Sequence, residues 1–202
     1  MIRSGFTVVL FAIAAATAGA PAHAEQPATD TTAPFSVNAR LNFSMVYPRF
    51  LRFRVGTAGA TVNLMTFTVA AASVGAATPV AATGGDAGGS AVNVEVVGNN
   101  GQVTITPTNS STNLGIGTGT ASDGRINYNQ IATTTSLAQL PAPVLSNTGG
   151  APVLPTLNTA LVTNRTAVWT YSYLNQTIPS AGTYGGTVVA RGGRVTYTAT
   201  MP

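Results

Sequence analysis

Eleven consecutive residues, Phe35 to Met45, alternate without a break. Phe35, Val37, Ala39, Leu41, Phe43 and Met45 fall on one parity, and Ser36, Asn38, Arg40, Asn42 and Ser44 on the other. Period two over this length is the pattern of a half-buried β-strand and fits helical spacing badly. The same grammar recurs along the chain. After Pro48, Leu51, Phe53 and Val55 resume an apolar face with Arg52 and Arg54 opposite. Val62 and Leu64 keep one parity while Met65, Phe67 and Val69 take the other, a slip that a β-bulge produces. Val92, Val94 and Val96 oppose Val103 and Ile105 around "GNNG", which predicts a hairpin. Trp169, Tyr171 and Tyr173 share a face, and "TVVARGGRVTYTAT" predicts a last hairpin turning at Gly192–Gly193. In that final strand Val195, Tyr197 and Ala199 oppose Thr196, Thr198 and Thr200.

Between these strands lie turn-rich stretches. Residues 70–91 are low in complexity and read as a long surface loop. Residues 107–164 predict irregular structure with one or two short edge strands, "RINYNQI" among them. The census is seven to nine strands with no convincing helix after the first 24 residues. It predicts an all-β fold, an antiparallel β-sandwich of Ig-like or Greek-key type with long Gly/Ala/Pro-rich loops.

Residues 1–24 have the three parts of a secretory signal: Arg3, the apolar run 6–20, and "PAHA" with small residues around a cut after Ala24. The expected organisation is a signal peptide over 1–24, a polar leader over 25–34, and one sandwich domain over 35–202. The expected location is outside the inner membrane, in the periplasm, at the surface or beyond, with no transmembrane segment in the mature chain.

Cleavage changes the chemical inventory. The only histidine, His23, leaves with the signal, and the chain has neither cysteine nor lysine. General acid–base work and activated nucleophiles draw chiefly on the residue types that are missing, as do zinc sites. Three acids beyond the leader, Asp86, Glu95 and Asp123, lie in separate segments without calcium-loop spacing. We therefore expect no enzyme, no cofactor and no metal site. Without cysteine the fold cannot use disulfides, although its length suffices for a core.

Two clusters are candidates for binding. Arg40, Arg49, Arg52 and Arg54 gather in one short region, and strand pairing could set them, with Arg191 and Arg194 as candidate extensions, in an outward stripe that grips an acidic glycan or lipid head group. The alternative is a solvated strand face that guards an edge. A formal charge of only +4 and the lack of basic runs argue against nucleic acid. Trp169, Tyr171, Tyr173 and Tyr184 could line a carbohydrate platform, or simply pack.

The closing stretch "WTYSYLNQTIPSAGTYGGTVVARGGRVTYTATMP", with "AGTYxG" before a last "VTYTA" strand, resembles the ends of bacterial surface and fimbrial β-sandwich domains. The opening "FSVNARLNFSMVYP" is similar to the "FxVxAxV" start of spore-coat-U-like pilin subunits, whose cysteines are absent here. The C-terminal grammar also resembles WxL domains, with "WTY" where "WxL" is expected. The resemblance implies a non-enzymatic structural or adhesive surface protein that pairs strands with like or partner subunits. Phe35, Val37, Leu41, Phe43 and Met45 are the candidate strand-pairing residues, in a stretch that serves either as an ordinary first strand or as a donated one. The alternative function is a monomeric binding module acting through the arginine face.

Overall fold

The structure is a computed structural model that describes residues 29–111, 114–119 and 124–202. The expected signal peptide and Asp123 lie outside the described residues. The chain divides into two units, Met1–Val46 and Tyr47–Pro202. All strands fall in the second: β1 Leu51–Val55, β2 Met65–Phe67, β3 Val80–Gly84, β4 Ala91–Gly98, β5 Thr104–Asn109, β6 Ile131–Thr135, β7 Thr163–Tyr173 and β8 Val195–Thr200. Every pairing is antiparallel. The fold is all-β, and among the described residues no helix is long and apolar enough to cross a membrane.

β7 organises the larger sheet. One edge pairs with β4 over Thr163–Thr170 and continues onto β3 at Ser172–Tyr173, while β6 takes the other edge. β1 joins beyond β4, and β2 beyond β3. β4 and β7 form because their alternation is strict. Val92, Val94 and Val96 lie opposite Trp169, Ala167 and Arg165 on the inner face, and Asn93 and Glu95 point outward. The second sheet is β5 with β8. Its Ile105, Val195, Tyr197 and Ala199 join the same core cluster as Val94, Val96 and Trp169. Trp169 is fully buried, donates its indole N–H to the Leu140 carbonyl at 3.2 Å, and meets Tyr197 edge-on at 5.3 Å. The aromatic residues of β7 are therefore packing residues.

Several sequence expectations are corrected. β4 and β5 are both strands, but they do not form a hairpin, because each pairs in a different sheet. Val92, Val94 and Val96 of β4 instead share the core cluster with Val103 and Ile105. The last hairpin is also absent. Val189–Arg191 make a 3-10 turn that Gly192 ends at φ +68°, and β8 pairs with β5. A side chain at Gly192 would place its Cβ 2.8 Å from the Ser111 backbone. No bulge explains the parity change at 62–65, since Val62 and Leu64 lie in a loop and the strand starts at Met65. The stretch 70–91 is not all loop: it contains β3, pinned by Ala82, which is buried. Within 107–164 one short strand, β6, does form, but it starts at Ile131; "RINYNQI" is not a strand, since Tyr128–Gln130 make a 3-10 turn.

Candidate functional site

Residues 35–45 belong to no strand. The half-buried strand that the alternation predicts is not realised within one copy. Phe35, Val37, Leu41, Phe43 and Met45 are between 54% and 83% exposed. Burial of such a side chain is worth roughly 1.5–3 kcal/mol each, and none of residues 35–45 lies in a β-ladder. Just before it, Asp30 closes a turn: Oδ1 accepts the Thr32 N–H at 2.9 Å and Oδ2 accepts the Ser36 N–H at 3.0 Å. Those backbone donors, Thr32 first, hold its carboxyl below the usual carboxylate range.

Within residues 47–202 an apolar groove of about 530 Å³ opens beside β1, β2 and β8. Its walls include Phe53, Val55, Phe67, Tyr171, Val195 and Tyr197. All but Tyr171 are half-buried, so the groove exposes apolar side chains without hiding them. Three strand edges border it. Among the described residues β1 has a strand partner only in β4, β2 only in β3, and β8 only in β5. The outer edge of β5, by contrast, is covered: Ile105 and Val153 exchange two hydrogen bonds of 2.9 Å. Pro107 lies two residues on and faces that same outer edge, where its missing N–H breaks no bond to β8.

The polar groups of the groove satisfy one another. The hydroxyls of Tyr171 and Tyr197 lie 3.0 Å apart, and the Tyr128 hydroxyl donates to the carbonyl of Gly192. Burial pushes Tyr128 and Tyr171 up to about 12 and raises Tyr197 as well. The groove thus offers apolar surface and neutral hydroxyls, with Arg194 as a charged group on its wall.

Of the four arginines, β1 brings Arg52 and Arg54 together. Arg54 lies directly across from Glu95 in the β1–β4 register, and both Arg52 (2.6 Å) and Arg54 (3.6 Å) reach the Glu95 carboxylate. Arg40 is in the N-terminal unit and on no strand paired with β1, and Arg49 precedes β1. Arg191 and Arg194 lie at the 3-10 turn and just before β8. No group of three His, Cys, Asp or Glu residues suited to a metal occurs among the described residues.

Sequence reasoning singled out residues 35–45 but placed Phe53, Phe67, Val195 and Tyr197 only on one face of their strands. Alternation marks an inward residue and carries no sign of whether the space in front of it is filled. Asp30 was placed in a polar leader, although an acid two residues before a free backbone N–H is an Asx-turn signal. Compared with known proteins, the chain matches no family model, no curated protein and no solved structure.

Proposed function

We propose that this chain is a structural subunit that exchanges strands: residues 35–45 of one copy enter the groove of the next and complete an unfinished β-sandwich. The observation that carries this reading is the coexistence, in one chain, of a period-two apolar segment that joins no strand and an apolar groove bordered by three edge strands. Strand addition satisfies both deficits together. Main-chain bonds give affinity and alternate side chains fill the groove. The signal-like N-terminus and the resemblance to fimbrial domains support an exported surface filament as the product. The chemistry is binding alone, without catalysis.

The arginine-face reading has less support. An acidic glycan or lipid would compete with Glu95 for both Arg52 and Arg54, and exposed contacts of this kind are weak and screened by salt.

The test is the size of the secreted chain by size exclusion with light scattering. The original sequence is expected to form polymers. The double variant Leu41→Asp/Phe43→Asp is expected to stay monomeric with unchanged far-ultraviolet circular dichroism. Two charges pressed against an apolar groove cost several kcal/mol together, which weakens assembly by more than about a thousandfold. A monomeric parent, or polymers indifferent to the substitution, overturns the proposal.

A further inference from the structure

Alternation decides which face of residues 35–45 turns inward, but not where along a groove the segment stops. A one-residue slip turns the apolar row outward and is excluded, whereas a two-residue slip leaves every row on its proper face. Five of the six inward positions are large and only Ala39 is small, so the pattern nearly repeats under such a slip. Something outside the pattern must fix the register.

Asp30 is placed to do so. In extended backbone the N–H and C=O of alternate residues face the same edge, so Ser36, Asn38, Arg40, Asn42 and Ser44 serve one ladder. The Asp30 carboxylate already holds the Ser36 N–H at 3.0 Å. On that edge the first free donor is Asn38. Two residues before Ser36 on that same edge, Pro34 has no N–H to offer. Sliding the segment further would also drag an ionised carboxylate against the apolar walls.

We propose that Asp30 is a register stop for the donated strand: its closed turn over residues 30–36 ends the ladder at Asn38 on one edge and forbids two-residue slips. This rests on the strand-exchange reading above. The backbone donors that lower the Asp30 carboxyl keep the turn closed through the ordinary carboxylate range. The stop therefore opens only in more acidic solution, as the carboxyl takes up its proton.

The chain has no cysteine, so engineered pairs are its only thiols. Asn42→Cys is combined singly with Thr196→Cys, Thr198→Cys or Thr200→Cys on β8, and with Arg52→Cys or Arg54→Cys on β1. Linked dimers are read on a non-reducing gel. A disulfide needs Cβ atoms about 4 Å apart, close to the spacing of directly opposed positions and well short of diagonal ones. On an edge that the segment pairs with, one position is expected to take most of the product. Adding Asp30→Ala should spread the product over positions two residues apart. Sharing among two or three equivalent registers lowers the dominant share about two- to threefold. Asp30→Asn, which keeps one acceptor oxygen, should fall between. A single unchanged partner in the Asp30→Ala background overturns the register stop and leaves strand exchange standing. No linkage at any position, in a chain that stays monomeric, overturns strand exchange and the stop with it.

Discussion

Asn175 shows how one side chain can hold a loop. It is buried and sits in the left-handed region at φ +54°, which asparagine tolerates far better than most residues. Its Oδ1 accepts the Gly75 N–H at 3.0 Å, its Nδ2 donates to the Ser73 carbonyl, and its own carbonyl accepts the Ala77 N–H. Asn175→Ala removes a partner from two half-buried backbone groups and puts alanine in the left-handed region, and should cost about 2–4 kcal/mol in urea denaturation. Arg165, half-buried, does similar work, donating to the carbonyls of Thr156 and Leu157. The tyrosines set an alkaline limit. Burial raises Tyr171 to about 12 from the ordinary 10. The unfolded chain therefore loses that proton first, and stability must fall as pH rises from about 10 to 12. Tyr171 alone should account for roughly 2–3 kcal/mol of the loss. Urea midpoints at pH 9 and pH 11.5 test this, and Tyr171→Phe should flatten the decline. A midpoint insensitive to pH in both proteins would refute the assignment.

At the scale of elements, the link between β4 and β5 carries more than a turn. Asn99 accepts the Phe50 N–H at 2.9 Å and donates to the Pro48 carbonyl at 2.8 Å, so it anchors the chain as it enters β1. Asn99→Ala should lower stability by about 1 kcal/mol. Shortening 99–101 to a two-residue turn should unfold the protein, because it demands a hairpin from strands that belong to different sheets. A shortened variant with an unchanged melting temperature would refute this account of the link. The strands β1, β4, β7 and β8 were legible in the sequence, because Phe53, Val94, Trp169 and Tyr197 each sit in strict alternation. β3 was not, since Val80–Gly84 is built of Ala, Thr and Gly and takes its order from β7 and β2. Pairing partners were also illegible: "GNNG" has the chemistry of a tight turn, and only the competing edges of β7 and β8 decide where its flanking strands go. The candidate site was half legible for the same reason. The pattern of 35–45 announced a strand, but its lack of a partner is a property of the whole fold.

At the scale of the whole molecule, strand donation predicts a particular kind of assembly. The donated segment and the accepting groove are different surfaces, so each contact is heterologous and the series does not close unless its rotation happens to form a ring. Every free chain has one donor and one acceptor, and growth continues until one of them is blocked. The Leu41→Asp/Phe43→Asp variant keeps an intact groove while its own segment cannot be donated. It should therefore accept a strand from a growing polymer and pass nothing on. Mixed with the original chain before assembly, it should act as a terminator: mean polymer length by light scattering should fall steadily as its fraction rises, with the variant recovered at one end only. A reciprocal swap between two copies behaves otherwise. It stops at a dimer whose size is independent of concentration, and a variant that cannot donate is simply left out. Polymers that shorten with the variant present separate open head-to-tail growth from a closed pair, and unchanged polymers with the variant left monomeric would show that its groove does not accept the strand.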